Sequence, residues 1–240
     1  ENEFMVFGSG AAQEMHRRWF ESHLGKYNLE YKNRSDEFHG LGIAGPKSRD
    51  LLQKIVRENV SNDNFKFRDS RKMFVAGVPA IVNRISFTGE LGYEIYVAPH
   101  FQLKLYEELT KAGKEFNIKP FGGRALMSMR LEKNWGAWTL DYRPDFTAKE
   151  TGLDAFINWD KDFIGKDYAQ KDESKNKLVP LIVETNDIDV TYNEAVLKDD
   201  KSIGYITSGG FAHFVNKSVA FSYLDQKELK SEKGVQVEIN

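Results

Sequence analysis

Apolar and polar residues alternate in several short blocks along this chain, and the blocks differ in period. Ala80-Ile81-Val82-Asn83-Arg84-Ile85-Ser86-Phe87 alternates as a strand does, runs into Thr88-Gly89-Glu90-Leu91-Gly92, and resumes at Tyr93-Glu94-Ile95-Tyr96-Val97, which predicts a hairpin. Phe38–Ala44 and Lys72–Val75 read as further strands. Helical spacing places helices over Ala11–Leu24, ended by Gly25, over the stretch opened by Gly45-Pro46 with Leu51, Leu52, Ile55 and Val56 as its buried stripe, over Phe101–Phe116, and over Gly122–Lys133. Phe4-Met5-Val6-Phe7 reads as a strand already under way. Trp135–Phe146 reads as a loop carrying aromatic and acidic residues.

A wholly polar run, Asp172-Glu173-Ser174-Lys175-Asn176-Lys177, separates these elements from a second pattern and predicts a boundary near residue 174. Beyond it, Leu178–Val183, Asn193–Leu197, Ser202–Thr207, Ser218–Tyr223 and Val235–Ile239 alternate with Asp-, Gly- and Asn-containing turns, as in a small antiparallel barrel. Strands mixed with helices, then strands alone, predict an α+β region over 1–174 and a β-barrel domain over 175–240.

Composition narrows the function. The chain has 240 residues, 40% of them hydrophobic, enough for one large core or two smaller ones. Its net charge is −2 with both signs interspersed, so no field gathers nucleic acid or an anionic membrane. It has no cysteine, which excludes disulfides and thiolate sites and fits a reducing cytoplasm. No apolar run approaches the roughly 18 residues that would predict a membrane span. The five histidines, His16, His23, His39, His100 and His213, show no metal-ligand spacing. Gly40-Leu41-Gly42-Ile43-Ala44-Gly45 matches the G-x-G-x-x-G dinucleotide pattern, but the segment ahead of it is charged and the glycines fall inside the expected strand, so a nucleotide loop is rejected. Ser208 lacks the nucleophile-elbow pattern.

Two motifs carry the chemistry. Glu94 interrupts a strand that is otherwise apolar or aromatic, and a carboxylate there suits a planar ligand offering two adjacent N–H donors, the other reading being a solvated or ion-paired strand carboxylate. Arg124 stands near a helix start, where the dipole disfavours a cation and an anion or carbonyl would compensate, the bland reading being a surface ion pair. Arg130 and Glu132, later on that helix, fit structural and functional roles equally. Trp135 and Trp138, beside Asp141 and Tyr142, line a cavity or cover the edge of the core.

Phe87–Val97, Gly122–Glu132, Lys161-Asp162-Phe163-Ile164-Gly165 and Gly204–Gly210, in this order, resemble the glycine-cleavage T-protein (aminomethyltransferase) family. Arg130-Leu131-Glu132-Lys133 with Trp135, Trp138 and the stretch from Phe146 to Gly165 is most similar to the folate domain of dimethylglycine and sarcosine dehydrogenase-like proteins. The resemblance implies a T-protein-like fold, tetrahydrofolate as cofactor and one-carbon (aminomethyl or methylene) transfer. The donor it implies is a small methylated amine or an aminomethyl carrier. It also implies that Glu94 and Arg124 hold the pterin, with Phe87 and Trp135 as walls of the pocket. The family's catalytic aspartate, and the flavin domain of the dehydrogenase-like relatives, would lie ahead of Glu1, so a missing N-terminal portion or a flavin subunit is an expected partner and no catalytic residue is assigned here. Phe87 stands where the family commonly has tyrosine, and Ala125 where aspartate often follows the arginine. Two alternatives accompany this reading: folate-dependent demethylation of another small methylated compound such as dimethylsulfoniopropionate, and a non-catalytic assembly module.

Overall fold

The computed structural model describes residues 3–229 and 234–239. The chain divides into two compact units, 20–126 and a second made of 1–19 with 127–240.

In unit 20–126, β1 (His39–Ala44), β2 (Ser70–Val75), β3 (Val78–Asn83) and β4 (Gly92–Val97) form an antiparallel sheet in the order β1-β4-β3-β2. β2 and β3 are joined by Ala76-Gly77, both at positive φ (50° and 80°), the pair of left-handed conformations that a tight twisted hairpin requires and that glycine adopts without penalty. Two helices, α2 (Ser48–Ile55) and α3 (Gln102–Gly113), pack on one another, α2 against β4 and α3 against β1. Strand alternation sends Ile43, Val75, Val82, Tyr93, Ile95 and Val97 into that layer, where they bury Leu51, Leu52, Leu105 and Leu109. Each such side chain contributes about 1.5–3 kcal/mol when fully buried. Among the described residues, α2 and α3 are the helices with substantial contacts to this sheet, and the candidate site lies on the face opposite them.

In the other unit, β5 (Asn176–Val183), β6 (Ala195–Lys198), β7 (Lys201–Ala212), β8 (Lys217–Asp225) and β9 (Gln236–Glu238) form an antiparallel sheet in the order β5-β8-β7-β6-β9. Val190, Val196, Ile206, Ala220 and Leu224 form its core. Two further helices complete the main elements: α1 (Gln13–Leu24), reached through a single 3-10 turn, and α4 (Gly123–Glu132). The α+β class with a C-terminal all-β region is thus present.

Three details of the sequence reading are corrected. Phe4–Phe7 is not a strand: it pairs with no described strand, and Phe4 and Val6 are 77% and 71% exposed. Gly45-Pro46 does not open α2, which begins two residues after the proline, at Ser48. The strand expected to run to Phe87 ends at Asn83, since Arg84 leaves the β4 ladder to exchange backbone hydrogen bonds with the 68–69 turn (Arg84 N to Asp69 O 2.9 Å, Arg68 N to Arg84 O 3.1 Å) and sends its guanidinium to Phe65 O and Asn62. Residues 84–91 are therefore a loop. It is tied internally by Ser86 Oγ donating to Glu90 O at 2.7 Å, and Ser48 Oγ on α2 donates to Leu91 O at 2.8 Å.

Candidate functional site

Glu94 lies on the face of the first sheet opposite α2 and α3, because its neighbours Tyr93 and Ile95 both turn into the core. Its cross-strand partners in register are Gly42 on β1 and Asn83 on β3, and Asn83 in turn faces Ser70 on β2, so one row of the sheet reads Gly42, Glu94, Asn83, Ser70. The neighbouring row contains Gly40, Tyr96 and Ile81.

The two glycines of β1 have different local roles. A side chain at Gly40 would come within 3.0 Å of the Tyr96 ring, so the absence of one lets that ring lie flat over the strand. From there the Tyr96 hydroxyl donates to Glu94 Oε2 at 2.7 Å. At Gly42, directly beside Glu94, a Cβ would meet nothing within 4 Å. The result is a half-buried carboxylate with one oxygen fixed by a phenol and an open bay at its side. Burial, and then the hydrogen bond to the Glu94 carboxylate, push the Tyr96 hydroxyl well above the ordinary tyrosine range, so the phenol stays a donor. Glu94 Oε1 has no partner among the described residues, and a carboxylate in this setting can accept paired N–H groups from a flat ring.

The other expected site residues are placed as follows. Phe87 is half-buried in the 84–91 loop. Arg124 is the second residue of α4, exposed, with no acidic residue in that first turn and no side-chain hydrogen bond or ion pair among the described residues. Trp135 belongs to the other unit, is 42% exposed, and makes edge contacts with Tyr142 (6.3 Å between centroids) and Phe156 (6.2 Å). No hydrogen bond, ion pair or ring contact joins any two of Phe87, Glu94, Arg124 and Trp135.

Tyr96, Asn83 and Gly42 were missed as site residues. The period of two along β4 and the β1–β4 and β3–β4 register would have found them, since a residue two positions from Glu94 must share its face.

Arg130, left between two roles by sequence, resolves as structural. It is 1% exposed and donates to Asp141 Oδ2 (2.6 Å), Ser208 Oγ (2.6 Å) and Trp135 O (3.1 Å). Asp141, fully buried, also accepts from Ala137 N (2.8 Å), Thr207 Oγ1 (2.5 Å) and Ser208 Oγ (2.9 Å). A shift of strand register between Ile206 and Ser208 accompanies the turning of two consecutive hydroxyls toward one carboxylate. Burial pulls the Arg130 guanidinium below its usual range while Asp141 opposes that shift. Glu132 accepts from Phe214 N (2.6 Å) and Val215 N (3.2 Å), clamping the β7–β8 turn. Ser208 is thereby an internal bridge and not a nucleophile.

Among the described residues, no helix is long and apolar enough to cross a membrane. Compared with known proteins, residues 1–161 match the model of the GCVT N-terminal domain, and residues 176–240 that of the glycine cleavage T-protein C-terminal barrel domain. The mitochondrial dimethylglycine dehydrogenase of Homo sapiens is 38% identical over 245 residues, which is 99% of this chain and 28% of that protein. The aminomethyltransferase of Thermoanaerobacter pseudethanolicus is 32% identical over 244 residues, 100% of this chain and 65% of that one. The chain thus spans less than two thirds of the length of either relative. The crystal structure of glycine cleavage system aminomethyltransferase T from Bartonella henselae superposes with a TM-score of 0.82 over 96% of this chain and 63% of that one, and at 20% identity this likeness concerns the fold. With a family model covering residues 1–161 and a second covering the sheet that follows, this chain belongs to the glycine-cleavage T-protein family.

Proposed function

We propose that this chain binds tetrahydrofolate and serves one-carbon transfer, as a T-protein-like aminomethyltransferase module related to dimethylglycine dehydrogenase. The observation that carries the proposal is the Glu94 carboxylate, anchored on one oxygen by Tyr96 and open on the other above the vacant side-chain position of Gly42. Tetrahydrofolate, when bound, would supply the amine nitrogens that receive the one-carbon unit. Glu94 accepts the two adjacent N–H groups of the pterin and fixes the ring's orientation, the part of catalysis that positioning supplies. The aromatic face of Phe87 forms a wall without adding a hydroxyl, and Arg124 provides a cation with no side-chain partner among the described residues. The general acid or base is assigned to no residue of this chain.

The donor in this reading is a small methylated amine or an aminomethyl carrier. Turnover of dimethylglycine, sarcosine, an aminomethyl carrier and dimethylsulfoniopropionate in parallel distinguishes the candidates. Residues 1–174 form the folate-binding region and 175–240 the barrel domain; matches of separate family models to 1–161 and 176–240 support this division.

The binding claim is tested by calorimetry with tetrahydrofolate. A carboxylate accepting two N–H bonds predicts that Glu94→Gln weakens binding by roughly 10- to 100-fold, from the strength of hydrogen bonds to charged groups. Affinity unchanged in both Glu94→Ala and Arg124→Ala would end the proposal.

A further inference from the structure

Asn83 is the polar residue of the sheet that nothing in the protein explains. It ends β3, is only 5% exposed, and lies directly across from Glu94 in the ladder. Its predecessors Val82 and Ala80 point into the core, so its side chain shares with Glu94 the face opposite α2 and α3. Cross-strand neighbours of this kind hold their Cβ atoms about 4.5–5.5 Å apart. Yet Asn83 Oδ1 is sealed from solvent without a hydrogen-bond partner, and Nδ2 makes no bond with any described residue. Buried amides are ordinarily paired, and with Oδ1 sealed, the unbonded Nδ2 end is the one left to meet a partner from the bay. A valine or threonine would suit the strand and leave no amide unpaired.

We propose that Asn83 is a specificity-determining residue that reads the group next to the two N–H donors held by Glu94. The inference rests on the reading that Glu94 accepts a heterocycle's paired donors. A 2-amino-4-oxo ring presents donor, donor, acceptor along one edge. Glu94 takes the two donors and the Asn83 amide N–H donates to the oxo group, so neighbouring strands read consecutive atoms of that edge. A 2,4-diamino ring presents donor, acceptor, donor along that edge: its N3 carries no hydrogen, and an amino donor stands where the oxo stood. The Asn83 amide can meet that donor only by exchanging the positions of its oxygen and nitrogen, which turns the N–H end into the sealed position. The arrangement therefore selects the oxo form by hydrogen-bond polarity, with no change in ring shape.

The experiment measures, by calorimetry on the whole chain, the affinities of tetrahydrofolate and its 2,4-diamino analogue, and takes their ratio. Because the ratio compares two ligands on one protein, a variant that folds incompletely leaves it unaffected. The expected wild-type preference for the oxo ligand is about 10- to 100-fold, the range for leaving a buried polar group unpaired. Asn83→Ala lowers the ratio about tenfold from its wild-type value, the preference that remains being that of Glu94 for a ring with a hydrogen on N3, and Asn83→Asp, which can accept but not donate, lowers it further. An unchanged ratio in both variants, with Glu94→Gln still weakening the binding of both ligands, overturns the role of Asn83 and leaves the folate reading standing. Binding of both ligands that is indifferent to Glu94→Gln overturns the two together.

Discussion

Asp141→Ala should destabilise the unit formed by 1–19 and 127–240 far more than an ordinary loop substitution. The carboxylate is fully buried and accepts from Arg130, Ala137 N, Thr207 and Ser208, so its removal strands a guanidinium that is itself 1% exposed. Breaking a buried ion pair by deleting one partner costs about 3–5 kcal/mol, because the remaining charge has lost both its counter-ion and its water. With a urea slope of about 2–3 kcal/mol per molar, the midpoint should fall by roughly 1–2 M. The four tryptophans, Trp19, Trp135, Trp138 and Trp159, all belong to this unit and none to 20–126, so tryptophan fluorescence follows it selectively. Replacing both charges, in Arg130→Met with Asp141→Leu, should cost less than the sum of the two single changes, since apolar pairs often substitute for buried ion pairs. A drop of less than about 1 kcal/mol for Asp141→Ala, or strict additivity in the double variant, would refute the argument that this pair is a mutually dependent buried unit.

Two further outcomes bear on the sheet face of the other unit. Gly42→Val should leave unfolding free energy unchanged or raise it by up to about 1 kcal/mol, since the position is open, has no positive φ and lies in a strand, while lowering tetrahydrofolate affinity at least tenfold; unimpaired binding in calorimetry would show that the ligand does not lie over β1. Tyr96 has its pKa raised in the folded protein by burial and by Glu94, so the folded state holds that proton more tightly than the unfolded chain; the associated stability is fully present below the ordinary tyrosine value of about 10 and is lost as pH rises through the folded value above it. Tyr96→Phe should therefore shallow the alkaline decline of stability, read by circular dichroism melts between pH 9 and 12, about the range set by that reference value, and an identical decline would contradict the placement of its hydroxyl on Glu94.

Local periodicity made much of this molecule readable. β1, the β2–β3 pair, β4 and α3 come from alternation and helical spacing alone, because their burial is decided by residues a few positions apart. β3 stopped short at Asn83 for a reason that no local pattern contains: Arg84 is claimed by the 62–69 segment. Glu94 was legible as an acid breaking an apolar strand. Its supporters were not, although Tyr96 lies only two residues on, since the significance of Gly40 and Gly42 depends on which strand becomes the neighbour of β4. The same limit hid the Arg130–Asp141 cluster, whose partners Thr207 and Ser208 arrive from a distant strand by way of a register shift. Arg124 and Trp135 rest on motif likeness, and their local geometry supplies an unpaired cation and a half-exposed ring.

The two polar clusters of the chain differ in a way that sorts structure from function. Around Asp141 nearly every donor and acceptor is matched, Arg130 Nε being the exception, and a matched buried network rigidifies what surrounds it. Around Glu94 the account does not close. Asn83 is buried and unmatched, Glu94 keeps a free oxygen, and the residue beside them has no side chain to fill the space. An unpaired buried amide costs about 1–3 kcal/mol, and a sheet face shaped only for stability would carry β-branched residues at these positions. The opposite face of the same strands does so, with Val82, Ile95 and Val97. A local rule broken on one face and obeyed on the other, within the same few residues, is the pattern expected of a face kept for a ligand, and the proposed folate contact at Glu94 rests on it.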